Sequence, residues 1–485
     1  MAATTFPAPA AESVSAESRP AVFRAGWHRD AFTTVTVGIT GIFGLAWALL
    51  MPPFQFNDEH AHFARSYQIS QGEFIGRADS QLPSGILATL AKYPERLPYK
   101  SAVRPSAADL VSGGSEASTP PQSAAKFQGL NFFGHGIASA QVYWSGCYIP
   151  ASIGIALARL LSLSPVAMLY GARILNLLAF LTAFAAALLL APGFRSLLTG
   201  VALMPMTIQQ AVAVSADSIT ISFAFLGFAL LLRARETRLS QRYLVALFIV
   251  VPLWVLSKNS LWAVLLLLLI PAGQFPGRAQ RVACLAAMTA ISGLALLGWR
   301  AMTSGAFDYY AAAELSKGLD LSGNVRLLAA HPFQILHDLI LLPDPLFNFA
   351  RMTSRFVGTF GWEFHPLPLA FLYLPFLLAV ACFEFSPKPF TMAQRGIFLL
   401  VFAFALVQTY AMLFVIDGTM RNSHYAFRFA GVQGRYLIPF CLAGFLALRQ
   451  RRFTVPDRVL GPAVLVVATC YSAFCLRAMA DYFYA

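Results

Sequence analysis

Apolar runs of about 20 residues recur from Ala31 almost to the end of the chain, and nothing else in the sequence restricts its fold as strongly. A helical run of that length crosses the ~30 Å hydrocarbon core of a bilayer. Lipid offers the backbone no hydrogen-bond partner, so a helix that satisfies its own amides is the form such a run takes. The runs fall at 31–51, 145–163, 166–190, 196–214, 217–233, 243–257, 259–272 and 282–301, then at 366–385, 395–416, 436–448 and 459–479. Charged residues make up 12% of the chain, about half the ~25% of a soluble protein. The expected class is an all-α polytopic integral membrane protein.

The formal net charge of +13 raises the question of a nucleic-acid partner. The placement of the charge argues against one. Arg and Lys collect in short breaks between runs, at Arg233/Arg235/Arg238/Arg242, Arg278/Arg281, Lys388/Arg395 and Arg449/Arg451/Arg452/Arg458. That pattern marks cytoplasmic loops facing anionic lipid. All four breaks lie on one side only if one segment between 145 and 214 fails to span. The segment 145–163, with Pro150 and Arg159, is expected to be that one, a juxtamembrane or re-entrant helix. About eleven spans then remain (range about 10 to 13), with the N-terminus cytoplasmic and the C-terminus outside. The six cysteines lie mainly inside apolar runs without a C-x-x-C pair, which suits buried apolar side chains better than zinc or haem.

Residues 1–30, rich in Ala, Ser, Pro and Thr, read as a disordered cytoplasmic tail. Residues 31–485 then form a single polytopic domain, with 52–141 as a large first non-cytoplasmic loop. Within that loop 101–126 reads as flexible, and Phe127 to Trp144 as an aromatic return to the interface.

The loop opens with Pro52-Pro53-Phe54-Gln55-Phe56-Asn57-Asp58-Glu59-His60-Ala61-His62-Phe63. Asp58 and Glu59 are the candidate catalytic pair. A carboxyl held against aromatic surface is partly desolvated, which raises its pKa and suits general-base work. Two adjacent carboxylates also suit Mg2+ or Mn2+, hard ions that take oxygen ligands. His62 stands one helical turn from Asp58 and is placed to orient it. Three further residues are expected on the same side: Asp217 in Ser215-Ala216-Asp217, Lys258 in Ser257-Lys258-Asn259, and Arg435 in Gly431-Val432-Gln433-Gly434-Arg435-Tyr436. An Arg preceded by Gly offers a bidentate fork to phosphate while the backbone approaches closely. Solvation of a loop is the alternative for the two acids, and snorkelling to the interface is the alternative for Lys258 and Arg435. His424 and Arg428 in the same loop, and Arg351, Arg355, Trp362, Glu363 and His365 around Gly358-Thr359-Phe360-Gly361, are weaker candidates.

These stretches, in this order, resemble the bacterial polytopic proteins called domain of unknown function 2142. The resemblance rests on PPFQFNDEHAHFARSYQISQGEF, SADS, LSKNS, FVGTFGW and GVQGRYLIP, and spans positions 52–439. That family is similar to the C-type glycosyltransferase superfamily, membrane enzymes with a catalytic acid in the first external loop. The resemblance implies a C-type-like fold in a bacterial inner membrane, with Asp58 at the catalytic acidic position and Glu59 beside it. It points to Asp217, Lys258, Arg435 and Gln433 as substrate-binding residues, with His62 in support. Asn57 departs from the Pro expected before the acidic pair. The implied donor is a polyprenyl-phosphate-linked sugar, and the implied acceptor an envelope glycan or lipid. A lipid-sugar transporter or flippase, and a glycan polymerase or ligase, are the rival readings.

Overall fold

The computed structural model describes residues 30–484 apart from 78–80, 95–96, 112–120, 124–137, 238–239, 317, 334–344, 361–364, 386–387, 418, 421–426, 429–432 and 450–452. The expected N-terminal tail therefore lies outside the described residues, as do Trp362, Glu363, His424 and most of the aromatic return before Ala138.

Helix α1 (Ala31–Leu50) leads directly into α2 (Glu59–Ser70). The rest of the first loop contributes strand β1 (Gln81–Pro83), α3 (Ser84–Lys92), α4 (Ala107–Val111), strand β2 (Pro121–Ser123) antiparallel to β1, and α5 (Ala138–Gln141). A 3-10 turn, Ser145–Tyr148, opens α6 (Ile149–Leu160). There follow α7 (Pro165–Leu190), α8 (Arg195–Ala202), α9 (Pro205–Val212), α10 (Ala216–Glu236) and α11 (Gln241–Leu256). A 3-10 helix, Leu261–Leu269, separates α11 from α12 (Arg278–Met302), α13 (Ser304–Leu315), α14 (Leu321–Ala330) and α15 (Pro345–Val357). The small hairpins β3 (Thr359–Phe360) with β4 (His365–Pro366), and β5 (Thr419–Met420) with β6 (Phe427–Arg428), flank α16 (Ala370–Phe383) and α17 (Met392–Asp417). The 3-10 turn Gly434–Leu437, α18 (Ile438–Leu448) and α19 (Asp457–Tyr484) complete the chain.

Among the described residues six helices are long and apolar enough to cross a membrane: α1, α7, α10, α12, α17 and α19. Apolar helices of 10–17 residues occur at Ser145–Leu160, Gln241–Leu256, Ala370–Phe383 and Gly434–Leu448. Helix α6 itself, at 12 residues, rises only about 18 Å. It forms a hairpin with α7 so close that a Cβ on Gly154 would stand 2.3 Å from the carbonyl oxygen of Gly171. Its other face packs on α2.

Two runs expected to be single helices are built differently. The run 196–214 is divided into α8 and α9, with Met204 extended (φ −59°, ψ 129°) and Pro205 opening the second piece. Pro lacks the N–H that a continuing helix needs, whereas in a first turn that N–H has no partner to lose. The run 259–272 is a 3-10 helix of nine residues. The stretch expected to be flexible, 101–126, is tied down at its start: the amides of Ala102 and of the preceding Lys100 donate to the carbonyls of Phe483 (3.2 Å) and Tyr482 (2.9 Å) at the end of α19.

Helix α10 lies at the centre, against α7, α9 and α11, and its residues are buried on nearly every side. Contacts gather at two ends of this bundle. At one end Arg195 pairs with Asp30 at 2.5 Å, and the Glu384 carboxylate accepts from the Ser196 and Leu197 amides at the start of α8 (2.7 and 3.2 Å). Arg449 donates to the Glu384 carbonyl at 2.7 Å, and Arg235 to the Lys388 and Pro389 carbonyls at 2.5 and 2.7 Å. Three of the basic breaks thus meet at that end. The opposite end gathers α2, the start of α10, the Ser257–Asn259 turn and the Gly434–Leu437 turn.

Candidate functional site

Asp58 stands at the N-cap position of α2 but does not cap it. Its backbone is left-handed (φ 60°, ψ 11°), and its side chain makes no capping bond. For an L-residue that conformation costs about 1–2 kcal/mol, with Asp among the more tolerant types. The carboxylate is turned away from its own helix and receives Arg435 Nη2 at Oδ2, 2.5 Å away, from a residue 377 positions later. Arg435 Nη1 also donates to the Asn57 carbonyl at 3.4 Å.

Glu59, the next residue, points into the protein and is fully buried. Arg173 of α7 grips it through both oxygens, Nε to Oε1 at 2.9 Å and Nη2 to Oε2 at 2.6 Å. The same guanidinium donates to the carbonyls of Ala48, Met51 and Pro52, and the Val214 amide donates to Glu59 Oε1. This ion pair ties the exit of α1, the start of α2, α7 and the end of α9 together. Both Glu59 oxygens are thus engaged in bonds that join these segments, whereas the sequence set Glu59 beside Asp58 in the chemistry. Neither do the two carboxylates fit a shared Mg2+ or Mn2+: one faces Arg435, the other has both oxygens on Arg173. The described residues contain no group of three or more His, Cys, Asp or Glu that could hold a metal ion.

Arg435 is positioned by the glycine before it. A Cβ on Gly434 would lie 2.1 Å from the Phe356 amide nitrogen, so the turn lies directly on the end of α15. From there Arg435 faces two acids, Asp58 and, with Nε 3.9 Å from Oδ2, Asp217. Asp217 is in the first turn of α10, where the helix dipole favours a carboxylate. Its Oδ1 accepts from Lys258 Nζ at 2.6 Å. Lys258 and Asn259 are both left-handed (φ 72° and 55°), and the Gln408 amide holds the Asn259 carbonyl. Charges of alternating sign thus run Asp58–Arg435–Asp217–Lys258. The two inner members, Arg435 and Asp217, are 2% and 3% exposed, whereas Asp58 is 40% and Lys258 17% exposed. The site presents one carboxylate and one ammonium outward on a floor of the opposite charges.

Aromatic rings frame that opening. Lys258 Nζ stands 4.8 Å from the Tyr436 ring centre and 5.7 Å from that of Tyr143, within cation–π range. His62 bonds Tyr148 Oη through Nδ1 at 2.8 Å. It lies near Asp58 without a hydrogen bond to its carboxylate, which is bonded by Arg435 instead.

Burial pushes the Asp58 carboxyl up, but Arg435, aided by His62 and Lys258, outweighs it and holds the group below the ordinary carboxylate range. The sequence had suggested a raised value; the cations that reverse it come from far along the chain. Burial drives the His62 imidazole down to about 4 against the pull of Asp58. Burial also opposes charge on Lys258, and Asp217 more than offsets it, so the ammonium is held above the usual lysine range. At neutral pH the site contains two carboxylates, two cations and a neutral imidazole.

The structure brings Asp58, Asp217, Lys258 and Arg435 together, places His62 beside them and sends Glu59 elsewhere. Gln433 lies two residues before Arg435, with its buried Oε1 lacking a hydrogen-bond partner among the described residues. Tyr148 and Tyr436 were not singled out from sequence, although Tyr436 follows Arg435 directly in a quoted motif. Arg173 was missed too, and the signal for it was present: it is the single charged residue in the run 166–190.

A family model described as "Predicted membrane protein (DUF2142)" matches residues 42–443. No curated protein and no solved structure matches the chain.

Proposed function

The chain belongs to that family of predicted membrane proteins, and from this premise we propose that it is a membrane glycosyltransferase. It moves a sugar from a polyprenyl-phosphate donor to a cell-envelope glycan or glycolipid acceptor at the non-cytoplasmic face of a bacterial inner membrane. The observation that carries this reading is the outward-facing, ionised Asp58 carboxylate held by Arg435, with the Lys258 ammonium in the same charge network.

Among the described residues Oδ2 of Asp58 is bonded to Arg435 while Oδ1 has no hydrogen bond, which leaves an oxygen for a substrate proton. An acceptor hydroxyl gives its proton to that oxygen as its own oxygen forms a bond to the anomeric carbon. The bond from that carbon to the phosphate breaks on the opposite face, and its electron pair departs with the phosphate. Attack opposite the leaving group inverts the centre, and one base suffices. Lys258 and Arg435 supply positive charge where the phosphate gains negative charge, which lowers the barrier. Tyr143 and Tyr436 offer flat apolar surface beside it.

The proposed topology has eleven passes: α1, α7, the α8–α9 pair, α10, α11, the 3-10 helix, α12, α16, α17, α18 and α19. Arg235, Lys388 and Arg449, gathered at one end, support a cytoplasmic assignment for it. The N-terminus is then cytoplasmic and Asp58 lies outside.

A flippase of lipid-linked sugars is the second reading, favoured by the broken run α8–α9, since discontinuous helices beside a charged site are common in transporters. Purified protein reconstituted with polyprenyl-phosphate sugars and acceptor extracts separates the two. Transfer, seen as a mass increment on the acceptor and abolished by Asp58→Asn at unchanged protein level, is the expected result. Movement of donor across the bilayer with no change in covalent structure would count for the flippase. Addition of whole preassembled glycans instead of one sugar would indicate a polymerase or ligase.

A further inference from the structure

Helix α9 brings three uncharged polar side chains into the interior: Thr207, Gln209 and Gln210, which are 0%, 3% and 2% exposed. Among the described residues Thr207 Oγ1, Gln209 Nε2 and Gln210 Oε1 have no hydrogen-bond partner, and the Gln210 amide nitrogen reaches only the Met206 sulfur at 3.5 Å. Leaving a buried donor or acceptor unmade is costly, because the group gives up water and gains nothing in return. Lipid cannot supply the missing partner. Groups of this kind are kept where a water or a ligand completes them.

Their neighbourhood favours a ligand. Helix α9 packs on α10, which carries Asp217, and on the 3-10 turn that carries Arg435. Two further unpartnered atoms belong to the site's own segments, Asn57 Nδ2 and Gln433 Oε1. The Asn57 carbonyl is itself a partner of Arg435. The set mixes donors (Asn57, Gln209) with acceptors (Gln210, Gln433), and Thr207 serves as either. A phosphate takes cations, and a polyprenyl tail takes no hydrogen bonds. Ring hydroxyls, each donor and acceptor at once, match this list. Thr207 and Gln210, three residues apart, share one face of the helix.

We propose that α9 is the sugar-reading wall of the donor site, with Thr207 and Gln210 hydrogen-bonding ring hydroxyls while Lys258 and Arg435 take the phosphate. The substrate class rests on the glycosyltransferase reading; the placement of the polar wall does not. Selectivity among sugars then follows from α9, because a site built to bond a hydroxyl rejects a ligand that lacks it.

The test is equilibrium binding to the purified full-length protein in lipid nanodiscs, separate from any transfer assay. The probes are radiolabelled polyprenyl-phosphate-linked glucose, galactose, mannose and arabinose, each with its monodeoxy analogues. Gln210→Leu and the near-isosteric Thr207→Val are each expected to weaken the preferred donor about tenfold, the worth of one net hydrogen bond. The loss should vanish for the analogue lacking the hydroxyl that residue reads. If Gln210→Leu does not fold, Thr207→Val makes the same comparison. Equal losses on parent and analogues, no loss on either, or no binding of any probe would overturn the proposal, the side chains then being completed by water. Hydroxyl-dependent binding without transfer leaves α9 as proposed and removes the enzyme reading. Transfer untouched by both substitutions does the reverse.

Discussion

Glu59→Gln leaves the Arg173 guanidinium buried without its charge partner, and breaking such a pair costs roughly 3–5 kcal/mol. The expected outcome is a marked fall in the thermal midpoint of the solubilised protein. Asp58→Asn, at a half-exposed position, should leave that midpoint near the parent's while removing the proposed transfer. The same contrast appears with pH. Arg435 is the main force lowering the Asp58 carboxyl, so Arg435→Met leaves burial opposed only by His62 and Lys258 and should move the acidic limb of the activity profile upward. His62 acts on stability instead. Its folded value of about 4 lies below the ordinary ~6.5, so the unfolded chain binds the proton more readily. Its contribution is intact above about 6.5 and is lost as pH falls towards 4. His62→Gln should flatten the pH dependence of the unfolding midpoint in that window.

At the scale of elements, two close approaches decide where the charged residues stand. Gly154 lets α6 lie on the backbone of α7, and α6 in turn supports α2. Gly154→Leu forces the hairpin apart and should destabilise the protein, with a cysteine pair across α6 and α7 losing its ready cross-link. Gly434 seats the Arg435 turn against Arg355 and Phe356. Gly434→Ala should leave the bundle folded yet displace Arg435, and the proposed transfer should slow with a higher KM for the proposed donor. The Pro205 break has a comparable effect: it ends α8 and lets α9 start afresh beside the site.

For the whole molecule the division into two ends is the property to measure. If the proposed orientation holds, cysteines placed at Arg235 and Lys388 should react with an impermeant thiol reagent only after the membrane is opened, whereas one placed at Tyr484 should react in intact cells or spheroplasts. Labelling of both sets from the same side would sink the eleven-pass arrangement. The bonds from Lys100 and Ala102 to the last turn of α19 join the first loop to the chain's far end. The charge cluster is itself assembled from residues between 58 and 435, and its stability is expected to follow that of the bundle.

The sequence by itself determined the class of fold, because run length and the absence of charge are local properties that a bilayer reads directly. It also pointed to four of the site's charged residues, since charged groups at the ends of apolar runs are few and each needs a reason. Pro205 and the lone Arg173 were missed, although each left a signal, a breaker inside one run and a charge inside another. What the tertiary structure decided was direction and partnership. Asp58 and Glu59 are adjacent and of one chemical type, yet a left-handed backbone at Asp58 turns one outward to Arg435 while the other is taken inward by Arg173. The lowered Asp58 pKa follows chiefly from that geometry and only in smaller part from nearby His62, because the field at a carboxylate is set by charges close in space, and the main one, Arg435, is supplied from 377 positions away.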